Sequence, residues 1–155
     1  MFIRDVFRDL KEQDIQKIYF RHPYLIDQKF ENCRTEECYS TSSGFADLVL
    51  FLNDQITVVE LKIEPLKKIH ALQVAQYVRE LEQEFPDQKV SAILIGRSPK
   101  EDLTRLIETF PFSLKIKLLV KDIPIKIKIC ANCRLASDVN RINCWKCGKS
   151  EWLNL

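Results

Sequence analysis

Glycine is scarce in this chain, with three residues in 155, alongside one methionine and two histidines. A chain so poor in glycine and rich in Ile, Lys and Glu reads as rigid. Internal repeats and low-complexity tracts are lacking. So is any long apolar run: residues 46–52 form the longest, Asp47 interrupts it, and it is far too short to span a bilayer. The opening stretch MFIRDVFRDLKEQD carries charges every few positions and has no apolar core of the signal-peptide kind. The expectation is a cytoplasmic protein with no membrane partner. What is present is a globular balance, 46% hydrophobic and 30% charged residues, in a length that allows one cored domain plus a small appendage.

The formal net charge of +2 is uninformative, but its distribution is not. Residues 1–110 hold 15 Lys/Arg against 19 Asp/Glu, a net of −4, whereas residues 111–155 hold 9 against 3, a net of +6. A polyanion-binding end would look like this, and so would two differently solvated surfaces.

Four of the six cysteines, Cys130, Cys133, Cys144 and Cys147, form C-x2-C-x10-C-x2-C. Each pair makes a knuckle that aims two thiolates at one cation, and two knuckles close a tetrahedral zinc site. With no histidine and no open position, such an ion is structural. A disulfide reading fits poorly with an intracellular chain. Around the knuckles, Arg134, Arg141, Lys146, Lys149 and Trp145 suit phosphates and a base, or equally a cap on the main domain or a subunit contact. Cys33 and Cys38 read as small buried thiols, with a disulfide or a second metal site as alternatives.

Periodicity predicts a helix over residues 4–20, ended by His22-Pro23, and a strand near 28–34. Residues 45–52 and 56–63 read as strands joined at Asn53-Asp54, followed by a helix over 66–84. A strand at 89–96, a helix at 100–110 and a strand at 113–120 complete the pattern, and 123–129 leads into Cys130. The fold class is α/β, a mixed sheet flanked by helices (residues 1–122) followed by a zinc ribbon (residues 123–155).

If Asn53-Asp54 is a two-residue turn, Leu52 faces Gln55 and Asp47 faces Glu60. Lys62 then lies on the same face, about 6.6 Å beyond Glu60. The remaining positions are apolar on both faces: Val49, Phe51, Ile56 and Val58 on one, Ala46, Leu48, Leu50, Val59 and Leu61 on the other. Two carboxylates and an ammonium buried among them cost several kcal/mol unless paired or bound to metal. Oxygen ligands suit Mg2+ or Mn2+. The alternative is a structural salt bridge at the open end of a hairpin.

Asp47-x12-Glu60-x-Lys62, with Gln73-x3-Tyr77 on the next helix, resembles the PD-(D/E)XK nucleases of the RecB-like branch. Glu12-Gln-Asp-Ile-Gln followed by His22-Pro-Tyr-Leu-Ile resembles the first helix of NucS-type endonucleases. The resemblance covers residues 10–85, about half of the chain. It implies a restriction-endonuclease-like sheet and a DNA endonuclease acting on single-stranded or branched DNA. It also implies Asp47 and Glu60 as Mg2+ or Mn2+ ligands with the Leu61 carbonyl, Lys62 orienting or activating water, Gln73 and Tyr77 framing the site, and Glu12 (or Glu37) as a further acid. One departure stands out, since relatives usually have Arg where Phe45 lies here. An inactive core that only binds nucleic acid or protein is the rival reading, and a dimer formed through the ribbon a further one.

Finally, Lys115, Lys117, Lys126 and Lys128 alternate with apolar residues. A turn at Lys121-Asp122 would set Lys117 against Lys126 and Lys115 against Lys128. Like charges directly opposed are destabilising, so the patch would meet phosphates or simply guard a sheet edge.

Overall fold

The computed structural model describes residues 11–119, 127–138 and 140–153. Its sheet is organised by the most apolar hairpin. β2 (Gly44–Leu52) and β3 (Gln55–Pro65) pair antiparallel, with Leu52 opposite Gln55 and Leu48 opposite Val59. This is the register expected of a two-residue turn. Asn53 takes φ 56°, a conformation its short polar side chain tolerates. β1 (Arg34–Thr41) runs antiparallel along the other side of β2. β4 (Lys89–Arg97) and β5 (Leu114–Leu118) follow in parallel, so the order is β1-β2-β3-β4-β5.

Parallel neighbours need crossovers. α2 (Lys68–Glu84) connects β3 to β4, and the short α3 (Thr104–Glu108) connects β4 to β5. α1 (Glu12–Arg21) covers the opposite face. Ile15, Ile18 and Tyr19 of α1 pack on Leu48, Leu50, Val59 and Ile93, while Val74, Tyr77, Val78 and Leu81 of α2 pack on Val49, Ile56, Val58 and Leu94. Both faces of the central strands are therefore buried, which is why those strands are apolar throughout.

Gly96 fits α2 to the sheet. A Cβ added there would lie 2.3 Å from Leu66 Cδ2 and 3.3 Å from the Lys62 carbonyl oxygen. Leu66 is fully buried and cannot yield. Gly96→Ala is expected to cost about 1–3 kcal/mol, read from the urea midpoint. An unchanged midpoint would show that the Leu66 packing is softer than this.

Several expectations are corrected. Residues 28–34 are not a strand: Gln28–Phe30 form a 3-10 turn, and Asp27 caps it by accepting the Lys29 N–H at 3.0 Å. The strand begins at Arg34, and its polar sequence RTEECYST hides it because it is an edge. Ala46 packs on the α2 side together with Val49, although they lie three residues apart. The alternation slips between them, opposite Cys38, which adopts φ 50°. The helix expected over 100–110 is only Thr104–Glu108. Of the first helix, residues 4–10 lie outside the described residues.

The opposed lysines also fail to form. β5 pairs only with β4 among the described residues, and β6 (Ile127–Ile129) pairs with β7 (Ala136–Asp138), so Lys115 does not face Lys128. Lys126 lies outside the described residues. Lys117 turns inward and donates to the carbonyls of Leu25, at 2.8 Å, and Ile26. Burial lowers the pKa of its ammonium.

The cysteine segment shares the α1-side core. Ile129 is fully buried within it, Leu153 packs against it, and the Leu153 N–H donates to the Ile129 carbonyl at 2.8 Å. The Arg21 guanidinium stacks 3.9 Å from the ring centre of Trp145. Among the described residues no helix is long and apolar enough to cross a membrane.

Candidate active site

The hairpin register carries Asp47 and Glu60 to one end of the sheet, where backbone amides hold both. The Leu61 N–H donates to Asp47 Oδ2 at 2.8 Å, and the Asp47 N–H donates to Glu60 Oε2 at 3.3 Å. Lys62 Nζ stands 3.3 Å from Glu60 Oε1. From α1, Glu12 Oε2 accepts the Ile63 N–H at 3.2 Å, which ties the start of that helix to the end of β3. Glu37, the alternative acid, is instead paired with Lys17. Three acids and one lysine thus meet where α1, β2 and β3 converge.

The electrostatics of the group follow from burial. Glu60 is 2% exposed, and burial together with the Asp47 charge pushes its carboxyl up to about 7, against the pull of Lys62. Burial likewise raises Asp47, opposed by the Leu61 N–H and Lys62, with Glu12 adding to the rise. Burial alone would lower Lys62, but Glu60, Glu12 and Asp47 outweigh it and hold the ammonium above its ordinary value. Two buried carboxylates that resist ionising together form a donor set suited to a hard divalent cation.

A pH signature follows. A glutamate whose folded pKa is raised stabilises the fold in its protonated form. That contribution is full below the ordinary value of 4.5 and is lost as pH rises through about 7. Without divalent ions, the wild type is expected to lose on the order of 2 kcal/mol more than Glu60→Gln between pH 5 and pH 8. Urea midpoints at the two pH values measure this, and parallel behaviour of the two proteins would refute it.

α2 supplies the next wall. Gln73 Nε2 donates to Tyr77 Oη at 3.0 Å. Burial raises the Tyr77 hydroxyl, and the charges of Glu60 and Asp47 raise it further against the Gln73 bond. Gly44, at φ 148°, lies beneath it: an added Cβ would sit 3.2 Å from Tyr77 Oη. The pair thus borders the acidic centre.

Gln16 was not anticipated. It is 9% exposed, and its Nε2 donates to the Asp47 carbonyl at 3.3 Å and contacts Cys38 Sγ at 3.4 Å. The available signal was its spacing of four from Glu12, which places both on one face of α1. Phe45 is 64% exposed and places no charge two residues before Asp47.

In the C-terminal segment the Sγ atoms of Cys130, Cys133, Cys144 and Cys147 all lie within 4.8 Å of one another. All four are free thiols. Burial would raise the Cys144 thiol, but N–H groups of Cys147 and Lys146 bring it down to about 6. Amides aimed at a thiolate and a four-sulfur donor set fit tetrahedral zinc. Gly148 takes φ 73° after the second knuckle, as its turn requires. Of the basic candidates, Lys115, Arg134 and Lys146 are exposed, and Lys128 Nζ stands 4.1 Å from the ring centre of Trp152.

Comparison with known proteins bears on the fold and on the family. Among solved structures, a repair endonuclease from Pyrococcus abyssi superposes with a TM-score of 0.58 at 22% identity, covering 71% of this chain and 48% of that one. The structure of an EndoMS–dsDNA complex gives 0.58 at 21% identity, covering 74% and 49%. These likenesses establish the fold, and this chain spans about half the length of either. No curated protein sequence matches. The sequence itself matches the family described as Endonuclease NucS C-terminal domain over residues 11–124. The chain therefore belongs to the NucS C-terminal domain family.

Proposed function

We propose that this chain is a Mg2+- or Mn2+-dependent endonuclease that hydrolyses phosphodiester bonds in DNA. The observation that carries the reading is the convergence of Asp47, Glu60, Lys62 and Glu12 on amide-anchored strand ends. Asp47 and Glu60, with the Leu61 carbonyl, would hold the divalent ion. When bound, that ion polarises the phosphate and makes water a better nucleophile. Lys62, kept charged by its acidic neighbours, orients the attacking water or stabilises charge on a phosphate oxygen; it is not poised to accept a proton. Gln73 and Tyr77 hold the side of the site against α2, and Glu12 places a third carboxylate near the ammonium. Zinc on the four cysteines would be structural, and reduced thiols suit a cytoplasmic setting.

The substrate expectation from sequence is single-stranded or branched DNA. The solved EndoMS complex contains double-stranded DNA, which adds duplex to the substrates to test. End-labelled single-stranded, duplex and branched DNA incubated with Mg2+, Mn2+ or no divalent ion decides the matter. Metal-dependent cutting of any of them supports the nuclease. Salt-sensitive binding without cutting of any substrate would leave a nucleic-acid-binding module. Native mass on the same preparation shows whether the active form is a dimer.

A further inference from the structure

The α1-covered face of the sheet is apolar only in part. Val59 and Ile93 belong to its core, but the preceding positions on that face are polar, with Thr57 beside Ser91 and Gln55 beside Lys89. Thr57 and Ser91 hydroxyls stand 3.4 Å apart, and Thr57 is buried. They line a recess of about 160 Å3, with Ser113 as a third hydroxyl and Lys29, Lys89 and Lys115 around them. Lys115 comes from β5 opposite Ile93, and Lys29 from the 3-10 turn.

Three features single this recess out. None of the three lysines forms an ion pair among the described residues. The acid on the rim, Asp27, already accepts the Lys29 N–H, and counting its charge the recess is still +2. Thr57 is buried and its hydroxyl meets that of Ser91, so the recess keeps a polar floor beside the Val59 and Ile93 core. The space suits a small oxyanion with some of its hydration.

We infer that this recess binds a phosphate group, held by Lys29, Lys89 and Lys115 and by the hydroxyls of Thr57 and Ser91. It is separate from the acidic centre. Thr57 precedes Glu60 by three residues, about 10 Å of strand, and the odd spacing turns the two side chains to opposite faces. A phosphate held here is therefore not the one attacked. Its source is either the backbone of bound nucleic acid or a free phosphate.

Thermal unfolding in inorganic phosphate, against chloride at equal ionic strength and without divalent ions, tests the site. The expected result is a saturable rise in midpoint, weakened about tenfold or more by Lys89→Gln with Lys115→Gln. Thr57→Val, which keeps every charge, is expected to weaken it as well. Binding of a duplex oligonucleotide across salt concentrations separates the sources. If the recess grips DNA backbone, the double lysine variant lowers the slope of log K against log salt by about two. An unchanged slope beside a retained phosphate response assigns the site to free phosphate. The inference is overturned if phosphate does no more than chloride, whatever the lysine variants do to DNA binding. Because the phosphate arm involves no cutting, it stands or falls apart from the nuclease reading.

Discussion

Lys62→Ala is expected to lower metal-dependent DNA cutting by about 10²–10³-fold, the loss typical of removing one positioned electrostatic group from a reacting centre. The variant should remain folded. Lys62 is partly exposed at a strand end, and its ammonium stands on Glu60 while its carbonyl lies near Gly96. Removing the side chain leaves the backbone pairing intact but strips Glu60 and Asp47 of their nearest cation. The two acids should then resist ionising more strongly, and the rate should call for more divalent ion or a higher pH. Cutting measured over a Mg2+ series and by circular dichroism-matched samples would show this. Full activity in Lys62→Ala would remove the lysine from the chemistry and return the group to a structural salt bridge.

Loss of zinc is expected to have the largest effect on stability. A segment of this size has little core of its own, so its metal supplies much of its folding energy. The loss should not stay local, because Ile129 and Leu153 pack into the α1-side core. Chelation, or Cys130→Ser with Cys144→Ser, is expected to lower the main thermal midpoint by about 10 °C or more. Both tryptophans, Trp145 and Trp152, lie in this segment. Their fluorescence therefore follows the cysteine segment while far-ultraviolet circular dichroism follows the sheet and helices. Coincident transitions show one cooperative unit. Stoichiometric zinc absent from the purified protein, with an unaltered melt after chelation, would overturn the assignment.

Signals that live within a few residues were readable in advance. The turn at Asn53-Asp54 set the register of β2 and β3, and from it the proximity of Asp47 and Glu60. The cysteine spacing likewise foretold a cluster that the fold brings together. What failed needed information from further away. β1 is an edge strand whose polar residues carry no alternation to read. Lys115 and Lys128 looked like partners across a tight turn, whereas β5 is reached by a crossover and joins β4. Lys117 passed for a surface charge because its two acceptor carbonyls lie about ninety residues earlier. The role of Gln16 was hidden for a similar reason, since it depends on a carbonyl on another strand, and only its spacing from Glu12 hinted at it. The slip at Ala46 lies opposite Cys38, on a strand the sequence did not disclose.

The hairpin at Asn53-Asp54 also bears on how such a protein can diverge. Asp47 lies six residues before the turn and Glu60 six after it, so the two arms are of equal length. The pairing of the two arms brings the carboxylates near each other and backbone amides hold them there, so the identity of the residues in between matters far less. Apolar replacements along either arm preserve the count, whereas one inserted or deleted residue would swing an acid to the far side of the sheet. Between Asp47 and Glu60, length should therefore be less tolerant of change than composition, and a one-residue insertion at the turn is expected to abolish the site.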